Sequence, residues 1–495
     1  MSIRVHLWLI LDPAIRCYTA HVPHNISTFT EYFRMRLMII LSLLICVPTL
    51  TLARDGAPQK PRKLFPYNYT IDDLPNGLRL VTVPTDYPNL VALYIVVATG
   101  SRNEVEAGKS GFAHFFEHMM FRGSENYTAE QREAIFKRAG AETNAYTSDD
   151  RTVYHAVFAK DDLDEIMKME ADRFLRLKYA LPEFQTESLA VKGEYDKNSA
   201  NPFSKLYEVL RETAFKTHPY SHTTMGYLKD IQDMPNQYEY SQEFFKRFYR
   251  PEYTTVVLVG DVTQQRALDL TKRFFGEWKR GDYEAKIPVE PAQAEPRTAH
   301  VDWPSPTLPI VAVAFRGPAY SDEKKDKLAL DLLAQVAFGE NSELYQKLVL
   351  KEQKVDVLGP DFSNQIDPEL FVVLARVKDP KDVDYVRDQI QTTFKRFTTE
   401  LIPAAKLDAT RSRTRYSFAM AMNSSAAIAS TVAPFISLRR SPDTIDKLAA
   451  LMDTITPQDV RDLAAKYFRD ESRTIVTLAT KAKDTATKTG QEDEE

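Results

Sequence analysis

The sequence predicts an α+β protein made of two duplicated units. Three observations carry this. Apolar strand-like runs alternate with helical ones along the chain. A proline-containing stretch, 283–299, interrupts them, with Pro288, Pro291 and Pro296 among charged and small residues. After it, the same order of runs begins again, as an internal repeat would.

The chain opens with an expected leader, residues 1–53. Arg36 precedes an apolar run from Leu37 to Val47, Pro48 breaks it, and Thr51-Leu52-Ala53 offers a small-residue cleavage site. That is the layout of a secretory signal peptide. The run is short of the roughly 20 apolar residues that span a bilayer, so membrane attachment is expected only if the leader stays uncleaved. Residues 1–34 show no clear period and are read as an extension ahead of the true start, Met35 or Met38. Both cysteines, Cys17 and Cys46, precede the cleavage point. The processed chain therefore has no thiolate to serve as ligand or nucleophile. The formal charge of -5 gives no basic excess, which excludes nucleic acid as the main partner.

The first domain is expected at 67–282. Tyr69-Thr-Ile and Leu78–Val83 read as a hairpin around Asn76-Gly77. Val91–Ala98 is apolar enough for a central strand. Helices are expected at 111–120 and 128–139, a strand at Thr152–Phe158, helices at 161–177 and 183–215, a strand at Thr254–Gly260 and a helix at 263–279. The linker at 283–299 leads to a second domain at 300–480. It repeats the order with a strand at Ile310–Phe315, a helix at 323–338, a strand at Phe371–Val377, helices at 380–399 and 403–430, and a closing strand at Thr474–Ala479. Residues 481–495 are rich in Lys, Thr, Glu and Asp and read as a disordered tail.

The chemistry concentrates in Gly111-Phe-Ala-His-Phe-Phe-Glu-His-Met-Met-Phe, which holds H-x-x-E-H. On a helix, His114 and His118 share one face and can present two imidazoles to one metal ion. Zinc accepts such nitrogens, and a catalytic site keeps one position for water. Glu117 projects toward the same side and can deprotonate that water. Histidines satisfied in a core are the plainer alternative, but a helix this apolar gives three ionisable residues no other reason to be there. A third ligand is needed. Glu187 and Glu194 lie two helical turns apart on one face, and spacing alone does not choose between them.

The pentamer, the duplication and the downstream glutamate helix resemble the pitrilysin/insulinase family of zinc metallopeptidases, the inverzincins, and among them the processing-type members. The resemblance covers roughly 67–480. It extends to Ala98-Thr-Gly-Ser-Arg-Asn-Glu, Asn144-Ala-Tyr-Thr-Ser and His218-Pro-Tyr-Ser-His. It implies that each unit is a mainly antiparallel sheet covered by helices, the two facing each other across a cleft. It also implies one Zn2+ per chain, with Glu194 as third ligand and Glu187 as a supporting carboxylate. Asn144 and Ala145 would border the cleft on an edge strand that binds an extended peptide.

One departure matters. Members of the family that act alone carry an Arg and a Tyr seven residues apart in the second half. Here the Arg position falls on Val349 or Lys351, and the Tyr position on Asp356 or Leu358. The resemblance therefore implies a zinc subunit whose homologous partner supplies the Arg/Tyr pair. The expected activity is zinc-dependent endopeptidase action on peptides or unfolded segments, exported across the inner membrane to the periplasm. The competing expectation is a non-catalytic or weakly active peptide-binding subunit.

Overall fold

Leu74-Pro-Asn-Gly closes the first hairpin. Gly77 holds φ +90°, a backbone state that costs glycine little because it has no Cβ. Its N–H donates to the Leu74 carbonyl at 2.8 Å. Strand β1 (Thr70–Asp73) thereby pairs antiparallel with β2 (Arg79–Pro84). The computed structural model describes residues 63–481. The expected leader and residues 482–495 of the expected tail lie outside the described residues.

Four further strands complete the first sheet: β3 (Leu90–Val97), β4 (Glu142–Thr147), β5 (Thr152–Ala159) and β6 (Thr254–Gly260). Their order is β1-β2-β6-β3-β5-β4. Only β2 and β6 run parallel. Strand β3 lies between β6 and β5, and apart from Leu90 all of it is buried, as its unbroken apolar run requires. The second sheet holds β7 (Arg297–Trp303), β8 (Ile310–Arg316), β9 (Val355–Asp361), β10 (Leu370–Val377) and β11 (Arg473–Thr480), in the order β7-β11-β8-β10-β9. It repeats β2-β6-β3-β5-β4 strand for strand, with its one parallel pair, β7 and β11, in the equivalent place. The protein is α+β, two mainly antiparallel sheets with helices against them. Strand β7 begins at Arg297, inside the stretch expected as a linker, because Arg297 and the residues after it pair with Thr474 onward.

The two longest expected helices each prove to be two. The run 183–215 divides into Leu181–Ser199 and Pro202–Ala214, and 403–430 divides into Ala404–Ala421 and a helix running on to Arg439, Ser425–Arg439. At the first break, proline has no N–H to continue the ladder. Asn201 caps the new start by accepting from Phe203 N at 2.9 Å. At the second break Ser424 Oγ accepts from Ala427 N at 3.1 Å. These breaks have a consequence for packing. The second member of each pair crosses to the other sheet. Leu206 and Leu210 of Pro202–Ala214 are buried with Ala314, Val372 and Leu478 of the second sheet. Ile428, Val432 and Ile436 of Ser425–Arg439 are buried with Val81, Tyr94 and Val257 of the first. Along the chain, the helix bearing the pentamer is α1 (Phe112–Met119), the first pair is α2 (Leu181–Ser199) and α3 (Pro202–Ala214), and the second pair is α4 (Ala404–Ala421) and α5 (Ser425–Arg439). Among the described residues no helix is long and apolar enough to cross a membrane.

Charge is buried where the sheets' ends meet. Arg211 on α3 grips Asp149 with both terminal nitrogens, at 2.9 and 3.0 Å. Glu369 lies 4.0 Å from the same guanidinium. Burial pushes Glu369 up to about 8, against the opposing pull of Arg211. A carboxyl whose folded pKa exceeds its unfolded value adds stability that is complete below the unfolded pKa, near 4.5, and is lost as pH rises through about 8. The thermal midpoint of the wild-type chain should therefore fall between those two pH values. Glu369→Gln, which cannot ionise, should make that decline shallower, and Glu104, which burial likewise raises to about 8, accounts for part of what remains; an unchanged slope would remove Glu369 as a source.

Candidate metal centre

Helix α1 is capped by Gly111, whose φ of +91° favours glycine; an added Cβ would also press on Ile231 Cδ1 at 2.4 Å. The Glu104 carboxylate accepts from Gly111 N and from Ala113 N, each at 2.7 Å. Two N–H groups that the first turn leaves without helical partners are thus satisfied. Phe112, Phe115, Phe116 and Met119 pack into the core, and Phe116 stacks on Phe244 with centroids 5.4 Å apart. With that face committed, His114, Glu117 and His118 fall to the other side.

There α2 runs alongside. His114 Nε2 and His118 Nε2 lie 3.2 Å apart. Glu194 Oε2 lies 3.2 Å from the latter and 3.7 Å from the former. Nitrogen and oxygen ligands about 2.0–2.2 Å from a tetrahedral zinc are separated from each other by about 3.3 Å. The three donor atoms therefore already form one face of such a tetrahedron, and the donor chemistry, two imidazoles and a carboxylate, suits zinc. His114, His118 and Glu194 are the group among the described residues whose donors converge in this way.

Electrostatics follow from the same contacts. Burial lowers His114, which favours the neutral imidazole a metal requires. For His118, burial is outweighed by hydrogen bonds to Glu187 and Glu194, which carry it up to about 9. Glu187 is buried, yet His118 and Arg122 hold its carboxyl below the usual range. Its Oε1 lies 3.0 Å from His118 Nδ1, and Arg122 binds its Oε2. Glu187 therefore faces the far nitrogen of His118 and is turned away from the three converging donors. This geometry separates the two glutamates that spacing left equivalent.

Glu117 Oε2 accepts from Thr147 Oγ1 at 2.6 Å, so the last residue of β4 holds the end of this side chain. Asn144 and Ala145 lie on the same strand, which is the outer edge of the first sheet. Asn144 is exposed and its Oδ1 accepts from Ala145 N at 2.9 Å; Ala145 is buried. Two contributors were not singled out from sequence. Arg122 lies in the turn just past the end of α1, whose last residue is Met119, and no spacing in the sequence singles it out. Thr147 stands in the segment Asn144–Ser148, but only pairing of β4 with β5 brings it to Glu117. In the second half, Val349 and Lys351 lie on the π-helical segment Gln346–Lys351 and Asp356 and Leu358 on β9. Asp356 is engaged by Arg376 at 2.8 Å.

Comparison with known proteins agrees. The family described as "Insulinase (Peptidase family M16)" matches residues 79–227, and its companion, "Peptidase M16 inactive domain", matches 237–414. The chain is 29% identical over 458 residues to a zinc protease PqqE of Helicobacter pylori, covering 90% of this chain and 99% of that one. It is 28% identical over 290 residues to the beta subunit of the mitochondrial-processing peptidase of Caenorhabditis elegans, covering 59% of this chain and 61% of that protein. The crystal structure of a protease from Helicobacter pylori superposes with a TM-score of 0.78 at 28% identity, over 83% of this chain and 99% of that one. With the inverted motif, the repeated sheets and these relatives in agreement, the chain belongs to the pitrilysin/insulinase family of M16 peptidases.

Proposed function

We propose that the chain is a zinc-dependent endopeptidase that cuts peptides or unfolded segments, with His114, His118 and Glu194 as metal ligands and Glu117 as general base. The observation that carries this reading is the triangle of donor atoms at 3.2, 3.2 and 3.7 Å beside Glu117. A bound zinc would polarise the scissile carbonyl and make water more acidic. Glu117, oriented by Thr147, takes the proton of the attacking water and returns it to the leaving amine. Glu187 holds His118 through Nδ1, leaving Nε2 for the metal. Strand β4 takes the substrate as an added strand, with Asn144 and Ala145 bordering the scissile bond.

The reading extends to the assembly: two domains, 67–282 and 300–480, in the zinc-bearing subunit of a heterodimer. The missing Arg/Tyr pair supports this, as does the likeness to a named beta subunit. A periplasmic location is consistent with the leader and with the fold likeness to the first half of the periplasmic protease PqqL of Escherichia coli, TM-score 0.67 at 20% identity. The second reading, a weakly active or non-catalytic peptide-binding subunit, draws on the companion match over 237–414. Zinc content and cleavage of an unfolded polypeptide, measured for the chain alone and with a homologous partner, separate the two. Full activity in a lone monomer removes the heterodimer; zinc uptake with no cleavage in either state favours the second reading.

Glu187→Ala should weaken zinc binding by about 10–100-fold, the usual effect of losing a partner that orients a histidine ligand. Competition with a chromogenic chelator measures it. Unchanged affinity would remove Glu187 from the site.

A further inference from the structure

We propose that the second half positions the metal-site helix through the relay Asp367–Arg102–Glu104, an inference that rests on the metal centre proposed above. Loop 362–369, between β9 and β10, is the starting point. Asp367 Oδ2 accepts from Arg102 Nε at 2.5 Å and lies 2.9 Å from His218 Nε2. Ile366 N donates to Asp150 Oδ2 at 2.7 Å, and Gln365 Nε2 donates to Asp149 Oδ2 at 3.0 Å. Tyr220 OH donates to the other Asp150 oxygen at 2.8 Å. Asp149, Asp150, His218, Tyr220 and Gln365 are all buried, so breaking a contact to either aspartate strands a desolvated partner; Arg102 and Asp367 are half-buried, their side chains 18% and 27% exposed. His218 and Arg102 hold Asp367 at about 2 despite its burial, which keeps it ionised at neutral pH.

What the loop grips is the segment that anchors α1. Arg102 N donates to Asp149 O at 2.8 Å, and Ser101 Oγ donates to Asp149 Oδ1 at 2.8 Å. At Gly100 an added Cβ would lie 2.1 Å from Ser148 O and 2.4 Å from Asp149 O. Gly100–Glu104 is thus pressed against the β4–β5 turn with no slack. Two residues past Arg102, the Glu104 carboxylate holds Gly111 N and Ala113 N, and His114 comes next. The same turn continues back into β4, whose Thr147 holds Glu117. Docking of the second half therefore bears on both segments that aim the chemistry of α1. Arg102 and Glu104 are positioning residues, and the site is fully ordered only with the halves docked.

The test uses amide hydrogen exchange on the full, metal-free chain, with chelator competition for zinc affinity and a thermal midpoint. Asp367→Asn should speed exchange at Gly111 and Ala113 by about tenfold and weaken zinc binding by a similar factor. Asp367→Glu should restore both. Tyr207→Phe is the control. It removes another contact between the halves, from the Tyr207 hydroxyl on α3 to Asp361 on β9, and touches nothing in 100–104. It should lower the midpoint and leave those amides and zinc affinity alone. If Asp367→Asn does not accumulate as folded protein, Arg102→Lys keeps the charge, loses the Nε donor to Asp367 and should move the same amides. Wild-type exchange at Gly111 and Ala113 in these variants overturns the proposal, as does equal acceleration by Tyr207→Phe. Should the amides respond while the wild-type chain takes up no zinc, the relay stands and the metal centre falls. Should zinc bind while the amides stay still, the metal centre stands and the relay falls.

Discussion

Glu117→Gln should lower kcat/KM for peptide hydrolysis by about 10²–10⁴-fold, the range that positioned general bases contribute. Glutamine keeps the size of the side chain and can still accept from Thr147 Oγ1, which now meets Glu117 Oε2 at 2.6 Å. What it loses is the capacity to take a proton. The three donor atoms belong to other residues, so zinc content should stay at the wild-type level. KM should change little, because peptide binding is assigned to β4. The combination is diagnostic. A variant that keeps zinc, keeps substrate affinity and loses turnover identifies the base. One that still cleaves at the wild-type rate shows that another group moves the proton. Loss of zinc together with activity would mean only that α1 had been disturbed.

Separating the halves should abolish folding of each. Residues 63–282, expressed alone, would lose helix α5, whose Ile428, Val432 and Ile436 cover Val81, Val83, Tyr94, Val257 and Val259. Fully burying a side chain of this size stabilises by about 1.5–3 kcal/mol. Re-exposing several of them therefore removes an amount comparable to the whole net stability of a domain, about 5–15 kcal/mol. The second half loses α3 by the same exchange, leaving Ala314, Val372 and Leu478 uncovered. Each fragment should be insoluble or lack a cooperative thermal transition, and co-expression of 63–282 with 283–481 should restore one. A cooperative transition from residues 63–282 alone would show that the exchanged helix is dispensable.

Much of this was legible along the chain. The strands of the first sheet that flank its centre are written as apolar runs, Val91–Ala98 and Thr254–Gly260, because burial on both faces demands apolar residues throughout. The edge strand β4 reads Glu-Thr-Asn-Ala-Tyr-Thr, half exposed and without such a run, and only the resemblance pointed to it. Helices joined by short polar breaks read as one. Asn201-Pro202 and Ser424 carry the local marks of a break, a proline and capping side chains, but nothing local says that the next turn leaves for another sheet. Helices at Leu228–Asp233 and Tyr238–Phe248 were likewise not anticipated.

By itself, the sequence determined the local chemistry: two imidazoles and a carboxylate at helical spacing on α1, and two further carboxylates one repeat apart on α2. Backbone periodicity alone puts those groups on common faces, and the pattern of runs reveals the duplication. Tertiary structure decided everything that depends on which elements meet. It turned Glu194 toward both histidines and Glu187 toward the back of one, brought Thr147 to Glu117, and set Asp367 of the second half against Arg102 of the first. These are contacts between segments up to 265 residues apart. They form only when the sheets have assembled, because no local period connects residues that far apart in the chain.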